Sequence, residues 1–114
     1  DAACVYTAHK HGDPVAAMVF LDHAPCISYH LGWSGPTGRA DCAHHLLLVT
    51  AARDFTASGR TRLDLGLIDT QTTPGLARFK IGTGAQIRQL GGTWLRLPRP
   101  IARVSHLATR AKDR

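Results

Sequence analysis

The chain has 114 residues, the usual size of one domain and too few for two independent cores. A 44% hydrophobic share with 19% charged residues excludes a disordered chain, and no apolar run approaches the ~20 residues of a membrane-spanning helix. The formal charge of +6, with seven histidines besides, gives the protein a field that attracts anions, phosphates foremost.

The elements follow in chain order. Residues 4–9, 15–21 and 26–33 are rich in Val, Ile, Phe, Tyr and Ala, and are separated by the turn-prone stretches His11-Gly12-Asp13-Pro14 and Asp22-His23-Ala24-Pro25. They read as an antiparallel meander. Gly32 to Gly38 carries three glycines and a proline, which predicts a loop. From Asp41, a plausible N-cap, Ala43, Leu46, Leu47, Ala51 and Phe55 share one helical face and Gly59 is placed to end it, so a helix is expected over about 41–58. Leu63, Leu65 and Leu67 alternate with Arg62, Asp64 and Gly66 as in a strand, and a strand–helix–strand order implies a crossover and a parallel pairing.

Thr73-Pro74 offers an N-cap followed by proline at the first helical position, opening a short helix that Gly82 or Gly84 closes. Residues 86–97 read as a further strand with a bulge at Gly91-Gly92. In the tail, Ile101, Val104, Leu107, Ala108 and Ala111 share a face opposite Arg103, Arg110 and Lys112, a basic amphipathic helix. The expected organisation is one module over 1–98 followed by a tail helix over 99–114, in the α/β (α+β) class. Its sheet is mixed: an antiparallel meander, then helix, strand, helix and strand.

Cys4, Cys26 and Cys42 are odd in number and far apart, with no Cys-x-x-Cys pair. They suggest neither a disulfide framework nor a thiolate zinc site and are expected reduced and mostly buried. With no signal peptide opening the chain, the cytoplasm is the expected compartment. The chain opens on Asp1 and enters a strand pattern almost at once, as expected where residues upstream have been lost.

Asp64-Leu65-Gly66-Leu67-Ile68-Asp69, followed by Pro74-Gly75-Leu76-Ala77-Arg78-Phe79-Lys80-Ile81-Gly82-Thr83-Gly84, resembles the Fem-type signature. That signature is a strand ending in Asp-x-Gly-Gly-x-Asp and then Gly-Leu-x-x-Phe-Lys-x-x-x-Gly. Leu67 stands where it has its second glycine. Leu31-Gly32-Trp33-Ser34 and the helix around His44-His45 resemble the stretch before it, so the likeness covers roughly residues 5–97. The chain is thus similar to the C-terminal half of Fem-type aminoacyl- and acetyltransferases of the GNAT superfamily. The resemblance implies a GNAT-like sheet, acyl transfer from a carrier to an amine, and acyl-coenzyme A or aminoacyl-tRNA as co-substrate. It also implies a role for Lys80, beside Phe79, at the transfer centre. Only the later part of such a catalytic domain is matched.

The residues carry their own chemistry. Acyl transfer needs dipoles around a donor carbonyl, a neutral amine and a place for the released proton. Gly35, Gly38 and Arg39 precede a helix whose N-terminal N–H groups attract an anion, and glycines let backbone approach a phosphate. Arg78, Lys80 and Arg88 are expected near the end of the 61–68 strand, where open α/β sheets bind ligands; a solvated basic face is the alternative. Asp64 and Asp69 bracket that strand end. They either accept a proton and orient the acceptor, or, for Asp69, stiffen the loop that follows.

His9 and His11 on a strand, and His44 and His45 on a helix, do not make a metal site at ligand spacing, so no metal is expected. Tyr29 and His30 alternate faces, one packing and the other reaching toward the site. Trp33 and Trp94 are expected in the core. The rival reading is a catalytically inactive half-domain that serves as a binding or assembly module: a truncated sheet would leave its first strand as a free edge, for which homodimerisation is the expected repair. A non-specific nucleic-acid contact through the tail ranks behind these.

Overall fold

The structure, a computed structural model, describes residues 2–96. Its sheet has the order β1-β2-β3-β4. Strands β1 (Ala2–Lys10), β2 (Asp13–His23) and β3 (Cys26–Ser34) form the expected antiparallel meander. The chain then crosses through α1 (Pro36–Ala40) and α2 (Ala43–Ala57) to β4 (Arg62–Asp64), which pairs in parallel with β3. Helix α3 (Pro74–Gly82) completes the described elements. The fold is mixed α/β around one four-stranded mixed sheet.

Successive side chains of a strand point to opposite faces, and here one face takes the helix. Ala16, Met18 and Phe20 of β2 and Ile27 of β3 are fully buried against Ala43, Leu47, Leu48, Ala51 and Phe55 of α2. Phe20 is the hub: its ring lies edge-on to Tyr6, Phe55 and Tyr29 with centroids 5.7, 5.4 and 6.0 Å away. The Tyr6 hydroxyl donates to Asp54 Oδ2 at 3.0 Å, tying β1 to α2; burial, reinforced by that carboxylate, pushes its pKa up to about 12. At the far end of α2, Arg60 clamps Asp22 with two bonds, Nε to Oδ1 at 2.8 Å and Nη2 to Oδ2 at 2.6 Å. The guanidinium holds the Asp22 carboxyl below the usual carboxylate range.

Several expectations are corrected. Pro36 presets φ at the first helical position, so the predicted loop after Gly35 folds into α1. Asp41 does not cap α2; Cys42 does, in the left-handed region at φ 54°, while Asp41 pairs with Lys10 at 2.7 Å. The 61–67 strand stops at Asp64, because Gly66 turns the chain at φ 75°. Residues 86–96 form no strand: none of the described residues pairs with them, and they are exposed, so the expected glycine bulge is not formed either. Register shifts fall instead at Ala8/His9 and Val19/Phe20.

His11 sits in the β1–β2 turn at φ 52°, not on a strand face with His9. Trp33 is 52% and Trp94 89% exposed, so neither is core. Cys42 is exposed, and Cys4 and Cys26 are only partly covered. The expected tail helix lies outside the described residues. Among the described residues no helix is long and apolar enough to cross a membrane.

Candidate functional site

The pairing of β3 with β4 lasts for three residue pairs, Cys26 to Ser28 against Arg62 to Asp64. Beyond Ser28, β3 runs on to Ser34 paired with β2 but no longer with β4, whose following segment turns away at Gly66. A cleft of about 590 Å³ is lined on one side by the second half of β3, the size ordinary for a small-molecule site. Tyr29, Gly32 and Ser34 lie on the helix-covered face, since they pair with Phe20, Met18 and Ala16, and all three line it. Gly38, Arg39, Cys42, His44 and His45 line it from α1 and the start of α2, and Gly75, Leu76 and Phe79 from α3.

Glycine at position 32 makes this cleft possible. A Cβ there would come within 2.6 Å of Tyr29 Oη and 3.3 Å of His44 Cε1. Burial raises the Tyr29 pKa, so its hydroxyl stays protonated. His44 Nε2 lies 3.0 Å from the Trp33 carbonyl oxygen. A carbonyl can only accept, so Nε2 carries the hydrogen and Nδ1 is left as the acceptor in the neutral ring. His44 and His45 both pack on Phe79, with ring centroids 5.7 and 4.9 Å away, which couples α2 to α3 beside the cleft.

The residues expected from sequence divide into four groups. Gly38, Arg39 and Phe79 line the cleft together, and Gly35 opens α1 immediately beside them, its N–H donating to the Val15 carbonyl at 3.0 Å. Lys80 is buried, at 7% exposure: Nζ donates to the Leu67 carbonyl at 2.7 Å and sits 5.4 Å from the Tyr29 ring centroid. Its ammonium thus abuts a residue of the cleft wall without itself lining the cleft. Arg78 and Arg88 are exposed and do not line it, so the expected basic convergence reduces to Lys80.

Asp64 and Asp69 act within the loop between β4 and α3. Asp64 Oδ1 accepts the Gly66 N–H at 2.8 Å, and Asp69 Oδ1 accepts those of Gln71 and Thr72, each at 2.9 Å. Hydrogen bonds from Thr72 and Gln71 hold the Asp69 carboxyl below its usual range, the signature of a carboxylate stiffening a turn. Sequence reasoning missed His44, His45 and Cys42 as residues of the cleft. The available signal was their place in the first turn of the helix after the glycine-rich segment.

Burial lowers the Lys80 pKa from its ordinary 10.5, with the Asp64 charge pulling it partly back. A depressed folded-state value means that the unfolded chain binds the proton more tightly, so stability should rise as pH climbs from the folded value toward 10.5. Lys80→Met keeps the stem and removes the charge. It is expected to leave stability at neutral pH unchanged or slightly raised and to abolish that rising limb, read as urea midpoints along a pH series. Tyr6 ionises in both proteins and cancels in the difference. Equal slopes in both would show that Lys80 titrates normally.

No protein-family model, no curated protein and no solved structure matches the chain.

Proposed function

We propose that the chain is an acyltransferase-type module with GNAT-like, Fem-type topology, whose cleft receives an anionic acyl carrier and passes its acyl group to an amine. The carrying observation is the parting of two parallel strands, β3 and β4, next to a cleft lined by Arg39 and the first turn of α2 as well as by Phe79 of α3. Open α/β sheets bind ligands where parallel strands end, and a helix N-terminus with an arginine beside it suits a phosphate. The order of meander, crossover helices, parallel strand and helix is compatible with the α+β arrangement expected, without the further strand expected after α3.

In this reading the carrier phosphate sits at Arg39 and the start of α2, and the acyl group lies against Phe79 and Leu76. The amine nitrogen attacks the carbonyl carbon; the C–N bond forms as the carbon–sulfur or carbon–oxygen bond to the carrier breaks. The amine's proton passes to His44 Nδ1, whose other nitrogen is spent on Trp33, and the carrier leaves as a thiol or hydroxyl after taking a proton. The protonated Tyr29 hydroxyl supplies a dipole for the developing oxyanion, and Lys80 holds positive charge behind its ring. Asp64 and Asp69 position the loop that supplies the Lys80 partner, Leu67.

Thermal-shift and turnover measurements with acyl-coenzyme A and with aminoacyl-tRNA analogues test this. One donor class is expected to raise the melting temperature, Arg39→Ala to remove most of that shift, and Lys80→Ala to abolish turnover while far-UV circular dichroism stays unchanged. Neither class binding or turning over, or full turnover by a folded Lys80→Ala protein, would reject the proposal.

A further inference from the structure

The sheet has two faces, and helices cover only one. On the other, register aligns Val5, Val19 and Leu31 in one row across the three strands, and Thr7, Ala17 and Trp33 in the next. Ala3, Leu21 and Ser28 form a third. Among the described residues no helix packs there: Val5 is 64% exposed and Leu31 and Trp33 52% each. The sequence of β2 does not suit such an arrangement. Val15 to Leu21 is an unbroken apolar run, the pattern of a strand buried on both sides, whereas an antiparallel strand with one wet face alternates.

We propose that this face is the interface of a homodimer in which two copies pack their open sheets against each other as a sandwich. The first argument is charge. The protein carries +6, yet the Val5 and Thr7 rows hold no Asp, Glu, Lys, Arg or His; only the Ala3 row meets such groups, where β4 continues it with Asp64 and the His23 ring bonds Ser28 Oγ at 2.6 Å. An isologous contact sets each residue against its own patch, so a charged surface would repel itself and a neutral apolar one does not. The second is shape. With the two-fold axis along the strands, β3 of one protomer lies over β1 of its partner, setting Leu31 over Val5 and Trp33 over Thr7 while Ala17 and Val19 meet their own copies. The bulkiest side chain, Trp33, thus faces the small Thr7, at the ~10 Å spacing of packed sheets.

The third argument is area. Ordinary strand spacing and rise give the patch a footprint of roughly 14 by 17 Å. With side-chain relief, two such patches bury roughly 500–1,000 Å², the range of weak encounters, which predicts a readily reversible dimer of low affinity. Pairing along the free β1 edge would not serve instead. It would join two open faces into one larger one, leaving the apolar surface in water. The interface lies on the side of the sheet opposite the cleft, so it stands or falls independently of the acyl-transfer reading.

Sedimentation equilibrium of the full chain decides it. Dimer is expected at concentrations on the order of 100 µM, and Val5→Lys and Leu31→Glu should each weaken self-association by about tenfold or more. Both positions are well exposed, so the variants keep the fold, checked by circular dichroism. Mixing the two variants should restore association, because Lys at position 5 then meets Glu at position 31. A wild-type monomer at that concentration, whether its face is bare or covered by the chain's own C-terminal segment, overturns the proposal. So does a variant that dimerises as well as wild type, or a mixture that fails to associate.

Discussion

Phe20→Ala is expected to lower stability by about 3–5 kcal/mol, the largest effect of any single substitution argued here. Phe20 is wholly buried and touches three other aromatic rings at edge-on geometry, from β1, β3 and α2. Removing it opens a cavity that those rings cannot close, since each is fixed from its own element. Edge-to-face pairs add about 0.5–1.5 kcal/mol beyond burial, and three are lost together. Domains of this size have about 5–15 kcal/mol in all, so the variant should populate unfolded chain near physiological temperature. Urea unfolding followed by circular dichroism checks this; Phe20→Leu, which retains most of the volume, should fall well short of that loss. A small shift from Phe20→Ala would mean that the sheet and α2 are not held by one shared core.

The same ring explains why the meander was legible in the sequence. Ala16, Met18 and Phe20 fall on alternate positions, as do Cys4, Tyr6 and Ala8, and turn residues separate the strands without ambiguity. The crossover was legible for a similar reason: Ala43, Leu47, Ala51 and Phe55 of the expected α2 face are buried, although Leu46 is 63% exposed and Leu48 packs in its stead, and Pro74 marks the start of α3. What misled was composition read without partners. Residues 86–96 have the residue types of a strand, but a strand exists only where another offers its backbone, and none of the described residues does. Glycine and proline between 32 and 38 predicted a loop, whereas Pro36 at a first helical position starts a helix rather than breaking one.

The candidate site was only half legible. Arg39, Gly38 and Phe79 meet in the cleft because β3, the crossover and α3 converge there, which strand order alone suggests. Lys80 was identified by its neighbour Phe79, but its depth was not: the reach of its stem past Tyr29 to Leu67 depends on where Gly66 turns the loop. His44 escaped notice because its role follows from a hydrogen bond to the Trp33 carbonyl, eleven residues away in sequence and on another element. Spacing patterns carry no information on such a bond. The apolar face of the sheet was in view as a continuous apolar run in β2, yet its meaning appears only when one side is seen to be uncovered.

Gly38→Ala tests which of two reasons puts glycine at that position. If glycine is there to let backbone approach a phosphate, the ligand-free protein should tolerate alanine, and only donor binding should suffer. The geometry argues otherwise: a Cβ at Gly38 would collide with the Val15 carbonyl oxygen and come within 2.8 Å of Ser34 Oγ, so α1 sits on β2 only because the residue is bare. The carbonyl is backbone of a central strand and cannot give way; α1 must move instead. The expected cost is about 1–3 kcal/mol in the absence of any ligand. Gly75→Ala is the matched control, also lining the cleft and also helical, but with open space around its Cβ position. There alanine should stabilise by about 0.4–1 kcal/mol, because it narrows the unfolded ensemble without a clash. Urea midpoints of the two variants should therefore move in opposite directions. Were both to rise, the close approach of α1 to β2 would not be what Gly38 provides, and the phosphate explanation for that glycine would regain its force.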